Sequence, residues 1–232
     1  MSSSWKTSVM LITSTARDDS NFGTGFVIDR DDQATYLLTC MHVVREVGGP
    51  DQIEVYGTQA RVIASDPEAG ADLAVLCVER PLDIPPLPLY VSGEEGKSFS
   101  TAGFQLDGKR FLIRELHGKL GEQVGVQMKG QADRHNAWDL EITDTYLLQR
   151  GYSGSPVVDE YGYVIGVVNT RQGEGKTGVA ISIEALRKFW PEMPHDLFAH
   201  RVGPPDDKPV RPHPANVVEP SPGKTLPQSR LL

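Results

Sequence analysis

Short runs of β-branched and aromatic residues, separated by turn residues, recur along most of the chain. Runs of this kind at regular spacing, with little helical periodicity between them, predict an antiparallel all-β barrel or sandwich. A proline-rich connector at residues 81–88 divides the runs into two sets of six. The predicted strands cover residues 5–14, 25–29, 35–39, 53–56, 60–63, 73–78, 98–104, 111–120, 122–128, 140–147, 156–158 and 163–169.

The two sets predict two barrels, at about residues 5–80 and 95–181, joined by a crossover. One helix is predicted at residues 182–190, where Ser182 can cap the start and Pro191 stops the last turn. Residues 201–232 differ from the rest of the chain, since they hold eight of its 17 prolines and few large apolar side chains. This composition predicts a disordered tail or linker, which leads to a partner or a further domain or has no function.

The composition excludes several classes of protein. The 232 residues are 39% hydrophobic and carry a formal net charge of −8, so a nucleic acid is not an expected partner. No apolar run approaches the roughly 18 residues that span a membrane, and the N-terminus does not read as a secretory signal. We therefore expect a cytoplasmic protein in which Cys40 and Cys77 are free thiols.

The hexapeptide GYSGSP at residues 151–156 is a candidate nucleophile turn. Glycine allows positive φ, so such a turn can aim several N–H groups at one point and hold a developing oxyanion. The hydroxyl of Ser153 is a weak nucleophile at its free pKa and needs a base. The alternative interpretation is a glycine-rich β-turn without chemistry.

His42 and Asp72 are the candidate base and orienting acid. His42 closes a predicted apolar strand, where its side chain can point into a cleft, and Asp72 opens the predicted alternating strand at residues 73–78. A carboxylate at that position needs a partner, and a histidine N–H would fix the tautomer that accepts a serine proton. Each residue alone is typical of a structural role, but the order His, Asp, Ser with these local contexts indicates a catalytic triad.

These motifs resemble those of trypsin-like serine proteases, especially the bacterial HtrA/DegP-like branch. The resemblance covers about residues 5–190. Its blocks are GTGFVI at 23–28, LTCMHVV at 38–44, DLAVL at 72–76, GYSGSP at 151–156, YGYVIGVVNT at 161–170 and GVAISIEALRKF at 178–189.

The resemblance implies one protease domain over residues 1–200, with two six-stranded antiparallel β-barrels and a C-terminal helix. It also implies a serine endopeptidase in which His42 is the general base, Asp72 orients His42 and Ser153 is the nucleophile. The backbone N–H groups of Gly151 and Ser153 would form the oxyanion hole. No cofactor or metal is expected.

The resemblance further implies a substrate site. Asn169, Thr170 and Arg171 would pair with an extended substrate as an added strand. The base of the pocket for the residue before the cut would lie near Leu147, with Gly178 and Ala180 on its wall. Because the residue at position 147 is Leu and not an acidic residue, we expect the substrate residue before the cut to be small or medium and apolar, rather than Lys or Arg. Arg171 at the rim would instead favour an acidic neighbour.

Two departures from the family bear on regulation. Tyr152 stands where secreted trypsins have an Asp that a cleaved N-terminus engages, so that activation route is not expected. No PDZ-like segment is recognised in residues 191–232. We expect control by a partner, by oligomerisation or by ordering of residues 107–150, in a bacterial defence or signalling pathway. The open alternatives are a catalytically silent module that binds extended peptides, and an assembly subunit that works through its tail.

Overall fold

The computed structural model describes residues 4–16, 21–66, 70–126 and 135–199. Within these residues the chain forms thirteen strands in two antiparallel sheets, so the predicted all-β fold is confirmed. The strands are β1 (Val9–Ser14), β2 (Gly23–Arg30), β3 (Thr35–Cys40), β4 (Ile53–Val55), β5 (Thr58–Gln59), β6 (Arg61–Ser65), β7 (Leu73–Val78), β8 (Ser98–Asp107), β9 (Arg110–Val126), β10 (His135–Ile142), β11 (Pro156–Asp159), β12 (Val164–Gln172) and β13 (Thr177–Ser182). The α-helices are α1 (Met41–Glu46) and α2 (Leu186–Phe189), and 3-10 helices cover Ser4–Ser8 and Ile183–Ala185. The tail predicted at residues 201–232 lies outside the described residues.

The N-terminal sheet has seven strands in the order β5-β4-β1-β2-β3-β7-β6, one more than the sequence predicted. The additional strand arises because Tyr56 and Gly57 both have positive φ, at 50° and 70°. A two-residue turn of this kind matches the twist of paired strands and folds the segment into the β4–β5 hairpin. The edge strands β5 and β6 are separated only by Ala60, so the sheet curls enough to bring one end of each edge strand close to the other.

The C-terminal sheet is the closed six-stranded barrel that the sequence predicted, in the order β10-β13-β12-β11-β8-β9. One difference is that two predicted strands are a single strand, the 17-residue β9. Around Gly121 the register of β9 against β10 shifts between Trp138 and Leu140. A bulge bends a strand without ending it, so the glycine predicted as a break is an internal kink.

The strand β7, which lies between β3 and the edge strand β6, shows why the two halves of the chain pack together. Its sequence LAVLCV is buried at every position, whereas the predicted alternation would have left one face towards solvent. A continuous apolar run is typical of a strand covered on both faces. β7 belongs to a core that also contains Val158, Val167 and Ile181 of the C-terminal barrel.

A short helical segment follows β13, as predicted. The hydroxyl of Ser182 accepts a hydrogen bond from the Glu184 N–H (3.3 Å), and a 3-10 turn then leads into α2. α2 ends at Phe189, and its C-cap residue Trp190 directly precedes Pro191. No helix within the described ranges has both the length and the apolar character needed to cross a bilayer.

Candidate active site

The sequence indicated that His42 closes a strand, but the structure places it on α1. β3 ends at Cys40, and His42 is the second residue of the helix that follows. Its backbone N–H donates to Asp72 Oδ1 (2.9 Å), and its ring Nδ1 lies 2.5 Å from Asp72 Oδ2. Two contacts to one carboxylate fix both the backbone and the ring of His42.

Asp72 immediately precedes β7 and has an unusual backbone conformation for a residue other than glycine, with φ at 51°. Its backbone carbonyl accepts a hydrogen bond from the Met41 N–H (2.8 Å), which joins this turn to the start of α1. The strained conformation aims the side chain across the β3–β7 pair towards His42. Such conformations cluster at functional sites, where surrounding contacts maintain them.

The carboxylate of Asp72 is buried and accepts four hydrogen bonds. Oδ1 accepts from the His42 N–H and from Arg45 Nη2 (3.0 Å), and Oδ2 accepts from the His42 ring and from Asn169 Nδ2 (3.1 Å). Burial alone would raise the pKa of Asp72. The hydrogen bond and charge of His42, the hydrogen bond from Asn169 and the charge of Arg45 outweigh burial and hold that pKa below its ordinary value.

The protonation state of Asp72 sets the tautomer of His42. An ionised carboxylate can only accept hydrogen bonds, so the ring nitrogen Nδ1 must carry a proton and donate it to Oδ2. In the neutral ring, Nε2 then has the free lone pair. This arrangement can remove a proton from a neighbouring hydroxyl.

Arg45 is a site residue that sequence reasoning missed. Its guanidinium reaches Asp72 at 3.0 Å from α1, three residues beyond His42. On a helix, residues three apart share a face, but this signal was hidden because the sequence did not predict a helix here. Arg45 supplies positive charge to the carboxylate from the solvent side of the cleft.

The GYSGSP turn has the backbone that its glycines were expected to allow. Gly151 and Gly154 have φ of 98° and 86°. A Cβ at Gly151 would overlap the Phe104 carbonyl oxygen, and one at Gly154 would overlap the Thr24 carbonyl oxygen. Both glycines are therefore required by conformation and by space.

Thr24 of β2 fixes this turn from the N-terminal sheet, a role that sequence reasoning also missed. Its N–H donates to the Ser153 carbonyl oxygen (3.0 Å), and its hydroxyl donates to the Gly151 carbonyl oxygen (2.6 Å). The same hydroxyl accepts from the Phe104 N–H (3.0 Å). The carbonyl oxygens of Gly151 and Ser153 thus point into the protein. Their N–H groups meet no acceptor among the residues that the structure describes, which leaves them available to a bound oxyanion.

The hydroxyl of Ser153 donates to the backbone carbonyl of Asn169 (3.3 Å). Within the described parts of the chain it forms no hydrogen bond with His42, although the two side chains line the same cleft. Asn169 therefore contacts both halves of the site, through its side chain to Asp72 and through its carbonyl to Ser153.

The cleft has a volume of about 570 Å³ and contains most of the residues that the sequence nominated. Those lining it are His42, Asp72, Gly151, Ser153, Asn169, Thr170 and Arg171. Leu147, Gly178 and Ala180 do not line it. The register of the loop before the nucleophile differs from the sequence expectation by one residue, so the buried Leu148 reaches the cleft where Leu147 was expected.

Gly178 and Ala180 lie behind the cleft, on β13. A Cβ at Gly178 would stand 2.6 Å from Leu148 Cδ1, so Gly178 supports Leu148 from behind. Ala180 is buried opposite Val168 of β12. Among the described residues, no cluster of His, Cys, Asp or Glu could hold a metal ion.

Cys40 lies directly beneath the site and is fully buried. Its thiol donates to the Val168 carbonyl (3.4 Å), and Asn169 Nδ2 approaches Sγ at 3.7 Å. Burial and the charge of Asp72 raise the pKa of this thiol well above its ordinary value. Cys40 and Cys77 are both free thiols in the structure. Cys40 acts here as packing under Asn169.

The fold is similar to that of solved bacterial proteases. The active form of the Rv3671c protease from M. tuberculosis superimposes with a TM-score of 0.63 at 20% identity, over 86% of this chain and 85% of that one. The inactive form of Rv3671c gives 0.61 at 22% identity, over 81% and 89%. The HtrA-type protease AlgW with a decapeptide gives 0.59 at 22% identity, over 80% of this chain and 64% of that chain.

Sequence comparison agrees with the fold. The chain is 31% identical over 157 residues to the uncharacterized protein y4bJ of Sinorhizobium fredii, and the match covers 66% of this chain. It spans only 22% of the length of y4bJ. The model of the trypsin-like peptidase domain matches residues 23–167, which is more than half of the chain and includes the segments that hold His42, Asp72 and Ser153. The chain therefore belongs to the trypsin-like peptidase family.

Proposed function

We propose that this protein is a serine endopeptidase that uses His42, Asp72 and Ser153 as its catalytic triad. The observation that carries this proposal is the paired contact of His42 with a buried, ionised Asp72, in the same cleft as the Ser153 turn. A Ser-His-Asp arrangement is recognised by geometry and roles. The family membership gives the same reaction class, the hydrolysis of peptide bonds.

The first half of the reaction forms an acyl-enzyme. Nε2 of His42 takes the proton of Ser153 as Oγ attacks the carbonyl carbon of the substrate, and the carbonyl oxygen becomes an oxyanion. The N–H groups of Gly151 and Ser153 donate to that oxyanion. His42 then gives its proton to the leaving nitrogen, the C–N bond breaks, and the new N-terminus departs while the acyl group stays on Oγ.

The second half reverses these roles with water. Nε2 removes a proton from a water molecule, whose oxygen attacks the ester carbon through a second oxyanion. His42 returns the proton to Oγ as the C–O bond breaks and the acid product leaves. Asp72 keeps its charge throughout and stabilises the protonated imidazole.

The edge of β12 supports binding of an extended peptide. β11 pairs with β12 only as far as Val167, whereas β13 continues along it to Gln172. Among the described strands, the stretch containing Asn169, Thr170 and Arg171 therefore has a neighbour on one side only. A substrate strand can add to such an edge through backbone hydrogen bonds.

The cleft wall supports an apolar residue before the cut, since Leu148 is the side chain that lies there. Arg171 is exposed and has no carboxylate within ion-pair distance in the described part of the chain. An acidic residue near the cut would complement its charge. A digest of a peptide library by the wild-type protein tests both preferences, and dominant cleavage after Lys or Arg would contradict them.

The decisive experiment is covalent labelling of the purified chain with a fluorophosphonate probe, read by intact mass. We expect one adduct on Ser153 of the wild type and none on Ser153→Ala. Ser155→Ala is the matched control, because Ser155 is buried two residues away and should leave labelling intact. Absence of any adduct or cleavage, with candidate partners added, would refute the proposal.

A catalytically silent module that binds extended peptides is the second candidate. The specific observation in its favour is that the Ser153 hydroxyl donates to Asn169 and not to His42. Under this alternative, Ser153→Ala would bind peptides and act in cells as the wild type does. Mapping of new protein N-termini in cells that express wild type or Ser153→Ala distinguishes the two candidates.

Regulation, location and partners belong to the same proposal. We place the protein in the cytoplasm, where a protease needs control by a protein partner that reaches it through residues 201–232, by oligomerisation or by loop ordering. A bacterial defence or signalling pathway is the proposed setting. Full activity of the purified monomer on casein would contradict control of this kind.

A further inference from the structure

The side chain of Tyr152 lies beneath the nucleophile turn, between the two residues that supply the oxyanion N–H groups. It is 1% exposed and belongs to the C-terminal core. Gly103 on β8 makes room for the ring, since a Cβ there would stand 2.7 Å from Tyr152 Cδ1. The ring is therefore held between the turn and the first strand of the barrel.

The hydroxyl of Tyr152 connects the turn to both strands of the β8–β9 hairpin. It donates to the Arg114 carbonyl on β9 (3.0 Å) and accepts from Gln105 Nε2 on β8 (3.2 Å). Burial raises the pKa of this phenol above its ordinary value, so it remains a donor. Both hydrogen-bonding functions of the hydroxyl are used at once.

The backbone of Tyr152 controls the direction of a catalytic N–H group. The N–H of Ser153 lies in the same peptide plane as the Tyr152 carbonyl, so a rotation of Tyr152 turns that N–H away from the cleft. The Tyr152 carbonyl accepts from the Ser155 N–H (2.9 Å), and Thr24 holds the neighbouring carbonyls from the opposite sheet. The phenol is the corresponding anchor on the C-terminal barrel.

We propose that Tyr152 is a positioning residue, whose hydroxyl tethers the nucleophile turn to β8 and β9 and keeps the N–H groups of Gly151 and Ser153 aimed at one point. This proposal rests on the proposed peptidase function. Loss of the tether lets the turn sample other orientations, so the chemical step slows while peptide binding along β12 is unaffected.

Tyr152→Phe tests the tether, because it removes the hydroxyl and keeps the ring. We expect kcat and the fluorophosphonate labelling rate to fall roughly tenfold, since misdirected oxyanion donors cost rate more than binding, with KM changed less than about twofold. Gln105→Leu removes one of the two partners and should have a smaller effect. The double variant should be no slower than Tyr152→Phe alone, because both changes break one network.

Tyr163→Phe is the matched control. Tyr163 is also 1% exposed in the same barrel, but it precedes β12 at the end remote from Asn169. It should leave kcat and the labelling rate within twofold of wild type. A Tyr152→Phe variant that does the same, at full folded content, overturns the proposal.

Hydrogen exchange of the peptide that covers residues 149–155 gives a readout independent of turnover. We expect faster exchange in Tyr152→Phe and no change in Tyr163→Phe, whether or not the wild type cleaves peptides. Wild type that neither labels nor cleaves refutes the peptidase function, and exchange still decides whether the tether exists. Unchanged exchange refutes the tether even in an active enzyme.

Discussion

The two halves of the candidate active site differ in how completely they are assembled. The half that belongs to the N-terminal sheet is closed, since Asp72 accepts four hydrogen bonds and holds His42 by its backbone and by its ring. In the other half, the Ser153 hydroxyl makes one hydrogen bond of 3.3 Å, to the Asn169 carbonyl. In the proposed mechanism, His42 and Asp72 are therefore already paired before substrate arrives, whereas the Ser153 hydroxyl would have to turn from Asn169 towards His42.

The physical reason for this difference is charge. A buried carboxylate is costly unless donors surround it, so Asp72 organises its neighbours. A hydroxyl that exchanges one neutral acceptor for another changes its free energy by only about 1 kcal/mol. The orientation of Ser153 is thus an equilibrium that a substrate or a partner can shift, whereas the geometry around Asp72 is not.

The largest effect should come from breaking the closed half with Asp72→Asn. The amide has lost the charge that stabilises protonated His42, and its NH₂ group favours the tautomer with the proton on Nε2, where the ring cannot act as a base. We expect kcat to fall on the order of 10⁴-fold, measured with a peptide substrate.

The control for that variant is Asp83→Asn, which neutralises a fully exposed carboxylate paired with Arg30 at 3.5 Å. It should retain the activity of the wild type. If Asp72→Asn retained more than a tenth of that activity, Asp72 would be a structural carboxylate and the comparison between the halves would lose its basis.

Thr24→Val should separate the two halves from each other. The substitution keeps the shape of Thr24 but leaves the Phe104 N–H and the Gly151 carbonyl without their buried partner. Each unsatisfied group costs about 1–3 kcal/mol in the free energy of unfolding, and we expect kcat to fall more than tenfold as the turn is released. Urea denaturation and peptide kinetics measure the two effects.

Thr39→Val is the comparison for Thr24→Val. The Thr39 hydroxyl donates to the Thr24 carbonyl at 2.7 Å and lies against Gly154, but in the described structure it makes no hydrogen bond with the nucleophile turn. It should destabilise the protein by less and leave kcat within about twofold. Equal effects of the two variants would show that Thr24 has no special connection to the turn.

The sequence predicted the parts of this site that depend on a local motif. It missed the residues whose roles depend on contacts between segments that are far apart in the sequence. The glycines around Ser153 were interpretable because positive φ is a local requirement. Arg45 and Thr24 gave no such signal, because their roles arise only when α1 and β2 are brought against Asp72 and Gly151.

The differences in secondary structure have a similar origin. His42 follows an apolar run, and the run continues into α1, so pattern alone could not show where β3 ends. Leu148 lines the cleft where Leu147 was expected, which is a shift of one residue in an irregular loop. Irregular segments have no period from which to read which side chain faces inward.

Asn169→Ala should have a smaller effect, because it removes the side-chain contact of Asn169 with Asp72 and keeps its backbone contact with Ser153. Asp72 Oδ2 loses the donor at 3.1 Å, while the backbone carbonyl that accepts from Ser153 remains. We expect kcat to fall roughly tenfold with little change in KM, in line with the loss of one hydrogen bond to a charged group. Asn136→Ala, which removes an exposed amide bonded to Glu184 at 3.2 Å, should be unchanged. A loss as large as that of Asp72→Asn would mean that the side chain does more than orient the carboxylate.

The smallest effect should appear in the pH dependence of stability. The pKa of Asp72 is lowered in the folded protein from the ordinary value of 3.8, since His42, Asn169 and Arg45 outweigh the opposing effect of burial. A group of this kind stabilises the fold fully above its unfolded pKa, and the stabilisation is lost as pH falls through the folded pKa. The free energy of unfolding of the wild type should therefore approach that of Asp72→Asn as pH falls from 6 to 3, with the change concentrated below about pH 4. Asn136→Ala introduces no titrating group, so its difference from the wild type should stay constant over the same range. Urea titrations at each pH measure both gaps, and a gap for Asp72→Asn that widens towards pH 3 would mean that the contacts of the carboxylate do not favour its ionised form.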